Sequence, residues 1–576
     1  MSPITAGLEC LLDTTYRGHN VLEVELSTTL QRDELVGQVV GAMIETNDPP
    51  RTFVRSGQLT RVLTDEDGRP RLQTVSDDAT MRNVLLSHVR LMRRVKRDGE
   101  FVHESIWAPR ELVQTVRTLG WYGELPALEA IVEAPTMRLD GTILDTPGYD
   151  AASRLIYAPA AGLDVPAVAL EPSTQDVADA VALLRGDLLG EFPFATAADE
   201  ANALALLLTP IVRHALRCVP LALITAPRAG TGKGLLATVA ARTATGRPVR
   251  VTPAPEGAEW AKVLTSLLDI GADPIFFDEV KRLDSPDLAA ALTAAVWSAR
   301  RLGHSEMIDR PQVATWVAAG NNVELGGDLP RRVYSIRLDP KVSRPWTRNG
   351  WRHPDLDGWA ADNRGRLLHA LLTIARAWHA AGRPKGKVPT LGGFSDWANT
   401  VGGMLHHAGV RGFLANLPDL YDQADDEANE WEGFLTALRD ATNGERFVTG
   451  DVVRALSGNH TLRDALPDEL TAKLQTPGFS RALGKTLKAK LDTRHGDHGL
   501  HVASAGRDGH SKAPLWIVAT DGVAGFAVSC GVSTPEPLTR TLAPARTCVG
   551  PHSPQNPANP ANPANEKPAC GTGAAA

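Results

Sequence analysis

The chain has 576 residues, 43% of them hydrophobic and 22% charged, with a formal net charge of −7 at pH 7, the balance of a globular protein with core enough for about two to four domains. Such a charge excludes a uniformly basic nucleic-acid binder, so any polynucleotide contact has to come from local basic faces or a channel between subunits. The sequence has no apolar run of about 18 residues and no charged-then-apolar leader; Cys10, Cys218, Cys530, Cys548 and Cys570 lack C-x-x-C spacing, so a cytoplasmic protein without disulfide framework, zinc ribbon or membrane partner is expected.

Residues 1–120 read as a mixed α+β region. TTLQRDELVGQVVGAMI has helical spacing with Thr28 or Thr29 as cap, TFVRSGQLTRVL gives two short strands around Ser56 and Gly57, and WAPRELVQTVRTLG a helix with Pro109 in its first turn. The basic run LMRRVKR, Leu91 to Arg97, is able to touch DNA, but the acids and apolar residues around it favour a solvated face. Residues 121–195, an accessory region, carry turn formers such as Asp140-Gly141 and Pro147-Gly148, which predict short strands and loops with Asp145, Asp150 and Asp164 as turn acids. An apolar helix over about 199–216 follows.

The stretch LALITAPRAGTGKGLL, Leu221 to Leu236, reads as strand, phosphate loop and helix. Gly230 and Gly232 let backbone N–H groups converge on phosphate oxygens, the helix N-terminus adds its dipole, and Lys233 can reach the β- and γ-phosphates. Ala229, Gly230, Thr231, Gly232, Lys233, Gly234 and Leu235 are therefore the candidate nucleotide-binding residues. The pattern departs from G-x-x-x-x-G-K-[ST] at Pro227, where the first glycine belongs, and at Gly234, where a hydroxyl ordinarily ligates Mg²⁺.

Three further segments follow in an order suited to ATP hydrolysis. In DPIFFDEV the strand Ile275 to Phe277 ends at Asp278, a candidate Mg²⁺ ligand, and Glu279, a candidate base for the attacking water. ATWVAAGNN gives a strand ending in Asn321 and Asn322, amides fit to position water or touch the γ-phosphate. GGDLPRRVYSIRL sets Arg331 and Arg332 before another strand, where one guanidinium can act as a finger on a neighbouring subunit's ATP.

The succession APRAGTGKG, IFFDE, AAGNN and GGDLPRRVYSIRLDP resembles the helicase core of phage, plasmid and integrative-element primase–helicase proteins, of the superfamily 3 or AAA+ type. RPWTRNGWRHPDLDGWAADNRGRLLHALLTIARAW is similar to the helical segment after that core, and APTMRLDGTILDTPGYDAASRLIYAP to the segment before it, so the resemblance covers roughly residues 50 to 520. It implies an α/β P-loop ATPase core over 196–345 with ATP and Mg²⁺ as cofactors, a homo-oligomeric ring, and action on single-stranded or origin duplex DNA. Neither a Cys-based zinc ribbon nor a convincing D-x-D site stands ahead of the ATPase, so any primase or polymerase is expected to be a separate partner. It also implies a hairpin into the ring channel around Gly303, where Arg300, Arg301, His304 and Arg310 are candidate phosphate contacts, with surface ion pairs or subunit contacts the alternative for Arg300 and Arg301; a helix is expected to end near Trp297 just before it.

Residues 346–429 are Trp-rich and read as a helical lid, with Trp378 in the core. Residues 430–520 give amphipathic helices, the last of which, FSRALGKTLKAKL, sets Phe479, Leu483 and Leu487 on one face and Arg481, Lys485 and Lys488 on another. Two strands around a glycine-rich loop follow, so a winged-helix domain is expected, with the basic face as its DNA-recognition helix and Arg494, Arg507 and Lys512 on the wing. His495, His498 and His501 repeat every third residue, which strand alternation does not turn into a metal site. Residues 521–576, with NPANPANPAN, form a disordered tail by composition. The expectation is a helicase or replication ATPase of mobile-element type. The missing hydroxyl at Gly234 leaves open an ATP-binding, DNA-associated switch with slow or no hydrolysis, and beyond it a non-enzymatic scaffold.

Overall fold

Five parallel strands carry the centre of the molecule: β1 (Leu221–Ala226), β2 (Val251–Pro253), β3 (Ile275–Leu283), β4 (Trp316–Leu325) and β5 (Val333–Arg337), in the spatial order β2-β3-β4-β1-β5. The computed structural model describes residues 20–27, 31–66, 70–300, 307–424, 426–496, 498–509 and 512–520. The strands are parallel and covered on both faces, which is why β1 and the first half of β3 read as unbroken apolar runs.

The covering helices include α1 (Ala197–Val212), α2 (Lys233–Thr245), α3 (Glu259–Asp269), α4 (Pro286–Thr293) and α5 (Arg364–Ala380). Their ends follow local chemistry. Thr196 and Asp199 form a reciprocal capping box at the start of α1, Ser285 caps α4 with Pro286 in its first turn, and α2 stops at Gly246, left-handed at φ +76°. Helices Leu356–Asp362, α5 and Ser395–His407 contribute Leu356, Leu367, Leu371, Trp378 and Trp397 to the same apolar core as the sheet. Trp397 Nε1 fixes that junction by donating to Thr209 Oγ1 on α1 at 3.0 Å.

Ahead of the core, Leu22–Glu25, Val89–Arg97 and Glu100–Ser105 make one three-stranded sheet, and Thr52–Arg55, Gln58–Thr64 and Pro70–Thr74 another. The helix Arg32–Glu45 is capped by Gln31 together with Glu34; Thr28 and Thr29 lie outside the described residues. Residues 121–195 hold the expected short strands only as far as Leu155–Tyr157. The helix Thr174–Ala182 then runs on as a wider turn to Leu188, against the expectation of loops. Its Ser173–Asp176 capping box and its buried Val177, Ala180, Leu184 and Leu188 account for it, a period that the turn formers upstream obscured.

Two further expectations need correction. The helix expected to reach Trp297 ends at Thr293, because Ala294 is extended and Val296–Arg300 pairs as a strand with Met307–Pro311. Arg310, expected to face DNA, is 1% exposed. Strand alternation turns it inward beside Ile308, where it pairs with Asp269 of α3 at 2.6 Å and donates to Gln58 Oε1 at 3.0 Å and Thr74 Oγ1 at 3.3 Å. Arg55 joins it by donating to the carbonyls of Leu268 and Asp269 at 3.3 and 3.2 Å, and burial brings its guanidinium down to about 10. These groups seat the second N-terminal sheet on α3.

The C-terminal part has its own core of Trp431, Phe434, Leu438, Leu456, Leu483, Leu487 and Trp516. It is built from helices Asp426–Ala441, Thr449–Leu456, His460–Asp464, Asp468–Thr471 and Phe479–Ala489 and the antiparallel pair His501–Arg507 and Pro514–Ala519. The compositional tail lies outside the described residues.

Candidate functional site

The phosphate loop, Asp278 and Asn321 lie beside the carboxyl end of β1, past which the neighbouring β3 and β4 run on, and it is at the carboxyl ends of strands that open parallel sheets hold ligands. The loop 227–232 leaves β1 there. Gly230 and Gly232 take φ values of +73° and +98°, which side-chain-bearing residues rarely adopt. A Cβ on Gly230 would also lie 3.2 Å from Trp346 Cβ, and one on Gly232 would lie 3.4 Å from the Phe192 ring. Helix α2 begins at Lys233 with Gly232 as its cap, so its first N–H groups have no side-chain acceptor and remain available at the loop. Thr231 is buried and its hydroxyl has no hydrogen-bond partner among the described residues.

Lys233 points across the loop. Its Nζ donates to Asn321 Oδ1 at 2.7 Å and to the Arg228 carbonyl at 3.4 Å. Asn321 stands opposite Ala226 in the β1–β4 register, so this bond ties the start of α2 to the neighbouring strand. Burial pushes the Lys233 ammonium below the usual lysine range, and the Asp278 carboxylate opposes that shift.

The acid pair is not at a strand end as expected. β3 continues to Leu283 through a bulge between Phe277 and Val280, and Asp278 and Glu279 occupy it. Glu279 is left-handed at φ +54° and its N–H donates to Asp278 Oδ1 at 2.8 Å. The bulge presses the Val280 carbonyl against Gly320, where a Cβ would collide with it. Gly320 is thus a residue that sequence reasoning passed over although it stands inside AAGNN. Asn322 is exposed and also left-handed at φ +45°, and β4 itself runs on to Leu325. Non-glycine residues in that region cost about 1 kcal/mol or more each, and such conformations concentrate at functional sites.

The two arginines differ. Arg332 bonds Asp328 at 2.8 Å, donates to Thr293 Oγ1 at 2.9 Å and reaches the Ala289 carbonyl, which commits it to the last turn of α4. Arg331 pairs only with Asp328 among the described residues, and its side chain is 62% exposed.

No protein-family model matches the chain. No curated protein matches it either. Among solved structures, the A form apo structure of the NrS-1 C-terminal region overlaps 77% of this chain and 100% of its own length at 12% identity with a TM-score of 0.31. SCCmec type IV Cch, described as an active helicase, overlaps 81% of this chain and 92% of its own length at 14% identity, also with a TM-score of 0.31. Overlaps this loose assign no activity.

Of the basic residues, Arg300 is exposed at the end of its strand, while Arg301 and His304 lie outside the described residues. Arg481, Lys485 and Lys488 are exposed on the helix Phe479–Ala489, whose other face buries Phe479, Leu483 and Leu487. Arg494, Arg507 and Lys512 are exposed nearby. His495 is buried and His498 exposed, and no group of three potential metal ligands occurs among the described residues. No described helix is long and apolar enough to cross a membrane.

A cavity of about 220 Å³ lies at the other end of the strands, lined by Arg55, Glu133, His214, Asp273 and Pro274 among others. It is remote from the phosphate loop and shares no residue with it.

Proposed function

We propose that this chain is an ATP-hydrolysing DNA motor of helicase type, acting in the replication of a mobile element. The observation that carries the reading is the convergence of Lys233, Asn321 and Asp278 at one edge of the sheet, joined by the 2.7 Å Lys233–Asn321 bond. A triphosphate fits this place: two left-handed glycines, a helix N-terminus, an ammonium and the unsatisfied Thr231 hydroxyl all face the chemistry of phosphate oxygens. Mg²⁺ fits as an ion held by one carboxylate and the substrate's own phosphates, with Asp278 as the protein ligand, since Gly234 offers no hydroxyl. Bound there, it would supply positive charge against that developing on the phosphates.

In this reading Glu279 takes the proton of the attacking water, Asn321 and Asn322 position that water and sense the γ-phosphate, and Lys233 stabilises the leaving phosphates. The exposed Arg331 serves a neighbouring subunit of a ring, a role for which Arg332, fastened to α4, is less suited. DNA is held through Arg300 and Arg301 near the ring channel. The C-terminal helices and hairpin act as a winged helix that presents Arg481, Lys485 and Lys488 to the backbone. The absent hydroxyl at Gly234 favours a second reading, a nucleotide-driven switch with slow hydrolysis on DNA.

Steady-state ATP hydrolysis with and without single-stranded DNA distinguishes them. Stimulated turnover supports the motor, tight binding with slow unstimulated turnover supports the switch, and no nucleotide binding sinks both. Glu279→Gln is expected to cut turnover by about 100-fold or more while ATP still binds. A fully active variant would show that another group takes the proton.

A further inference from the structure

Trp346 is 63% exposed and lies against the phosphate loop at Gly230. Its Cβ and its ring atom Cε3 stand 3.2 and 3.3 Å from where a side chain on Gly230 would begin. The segment that carries it is held on both sides. Arg228 Nη1 donates to the Ser343 carbonyl at 3.2 Å, before the tryptophan. After it, Arg348 donates to the Glu191 carbonyl at 3.2 Å and its guanidinium lies 4.5 Å over the Trp351 ring. The Arg352 N–H then donates to Glu191 Oε1 at 2.7 Å. The ring is therefore placed by its surroundings and still left open to solvent.

Backbone N–H groups in the loop recognise phosphate alone and say nothing of what hangs from it. The ribose and base carried by such phosphates need a contact of their own, and an exposed ring beside the loop can supply it. Phe192, the other aromatic ring beside these glycines, is buried and touches Gly232 from within, so it offers no open face.

We infer that Trp346 is the stacking platform for the nucleobase, so that the site selects a nucleoside triphosphate over an inorganic polyphosphate. Stacking covers the exposed indole and adds affinity without hydrogen-bond readout, so it accepts any base with a similar π-face. The inference rests on the nucleotide reading given above and adds a residue to it. Gly230 gains a second reason to be glycine: a side chain there would displace the indole.

The test measures binding of two probes, a non-hydrolysable ATP analogue and inorganic tripolyphosphate, each with Mg²⁺, to the full chain and its variants by titration calorimetry. Trp346→Ala is expected to weaken the analogue about tenfold or more and leave tripolyphosphate unchanged, and Trp346→Phe to recover most of the loss. Equal analogue affinity in the alanine variant and the unaltered chain overturns the stacking role while leaving the phosphate site standing. Tighter binding of both probes by the alanine variant overturns it too, since the ring would then be an obstruction. Failure of the unaltered chain to bind either probe removes the nucleotide site itself, and this inference with it.

Discussion

The Asp278–Glu279 pair owes its aim to backbone more than to side chains. Glu279 sits in a left-handed conformation inside a bulge, and the bulge exists because Gly320 on β4 leaves room for the Val280 carbonyl. Adding one methyl group at Gly320 forces that carbonyl, and with it the acid pair, out of place. Gly320→Ala is expected to lower folding stability by about 2 kcal/mol, within the range of overpacked cores, and to reduce ATP hydrolysis further than the stability loss explains at a temperature where the variant is folded. Denaturant titration and turnover measured together decide this. Unaltered stability with full turnover would mean that the bulge shifts freely and does not hold the acids. A similar logic separates the arginines: adjacent in sequence, they differ in what the rest of the chain supplies, α4 for Arg332 and only Asp328 for Arg331.

Elements were legible where burial acts on a continuous run. β1, β4 and the apolar start of β3 could be read because parallel strands buried on both faces leave few polar positions, and the phosphate loop because its glycines answer a backbone need. The second half of β3 was hidden, since Asp278, Glu279, Lys281 and Arg282 look like a strand's end and the pairing partner that extends it lies on β4. The helix Phe479–Ala489 was read from its spacing alone, and its Phe479, Leu483 and Leu487 are buried as that spacing requires. Its opposite face carries three exposed cations on a chain of net charge −7, so it should contribute to DNA affinity through phosphates and little else. Reversing Arg481, Lys485 and Lys488 to Glu together is expected to weaken binding to DNA at least tenfold at about 0.1 M salt. It should also lower the slope of log affinity against log salt by about 3, with the melting temperature little changed. An unchanged slope would reassign this face to a protein contact.

At the scale of the whole molecule, long-range contacts settle what sequence reading left open. Arg310 was misplaced by sequence because its partners come from elsewhere in the chain: Asp269 on α3, and Gln58 and Thr74 in the N-terminal sheet. A guanidinium so buried is held by several acceptors at once, and it fastens the second N-terminal sheet to α3 with no face open to a phosphate. Arg331 is the opposite case. It is exposed, paired with Asp328 and placed just ahead of β5. If it completes the site of a neighbouring subunit, the defect of one variant can be repaired by another. Arg331→Ala subunits keep an intact phosphate loop but supply no finger; Lys233→Ala subunits supply the finger but lack the loop's cation. Each variant alone should hydrolyse ATP at less than about one hundredth of the normal rate. Mixed in equal amounts before assembly, they form interfaces at which an intact Lys233 meets an intact Arg331, about one quarter of the total if subunits assort at random. Turnover should recover toward that fraction and should not recover if the two are mixed after assembly under conditions that prevent exchange. No recovery in either order would place Arg331 in its own subunit's site or outside the reaction, and the ring would lose its arginine-based coupling.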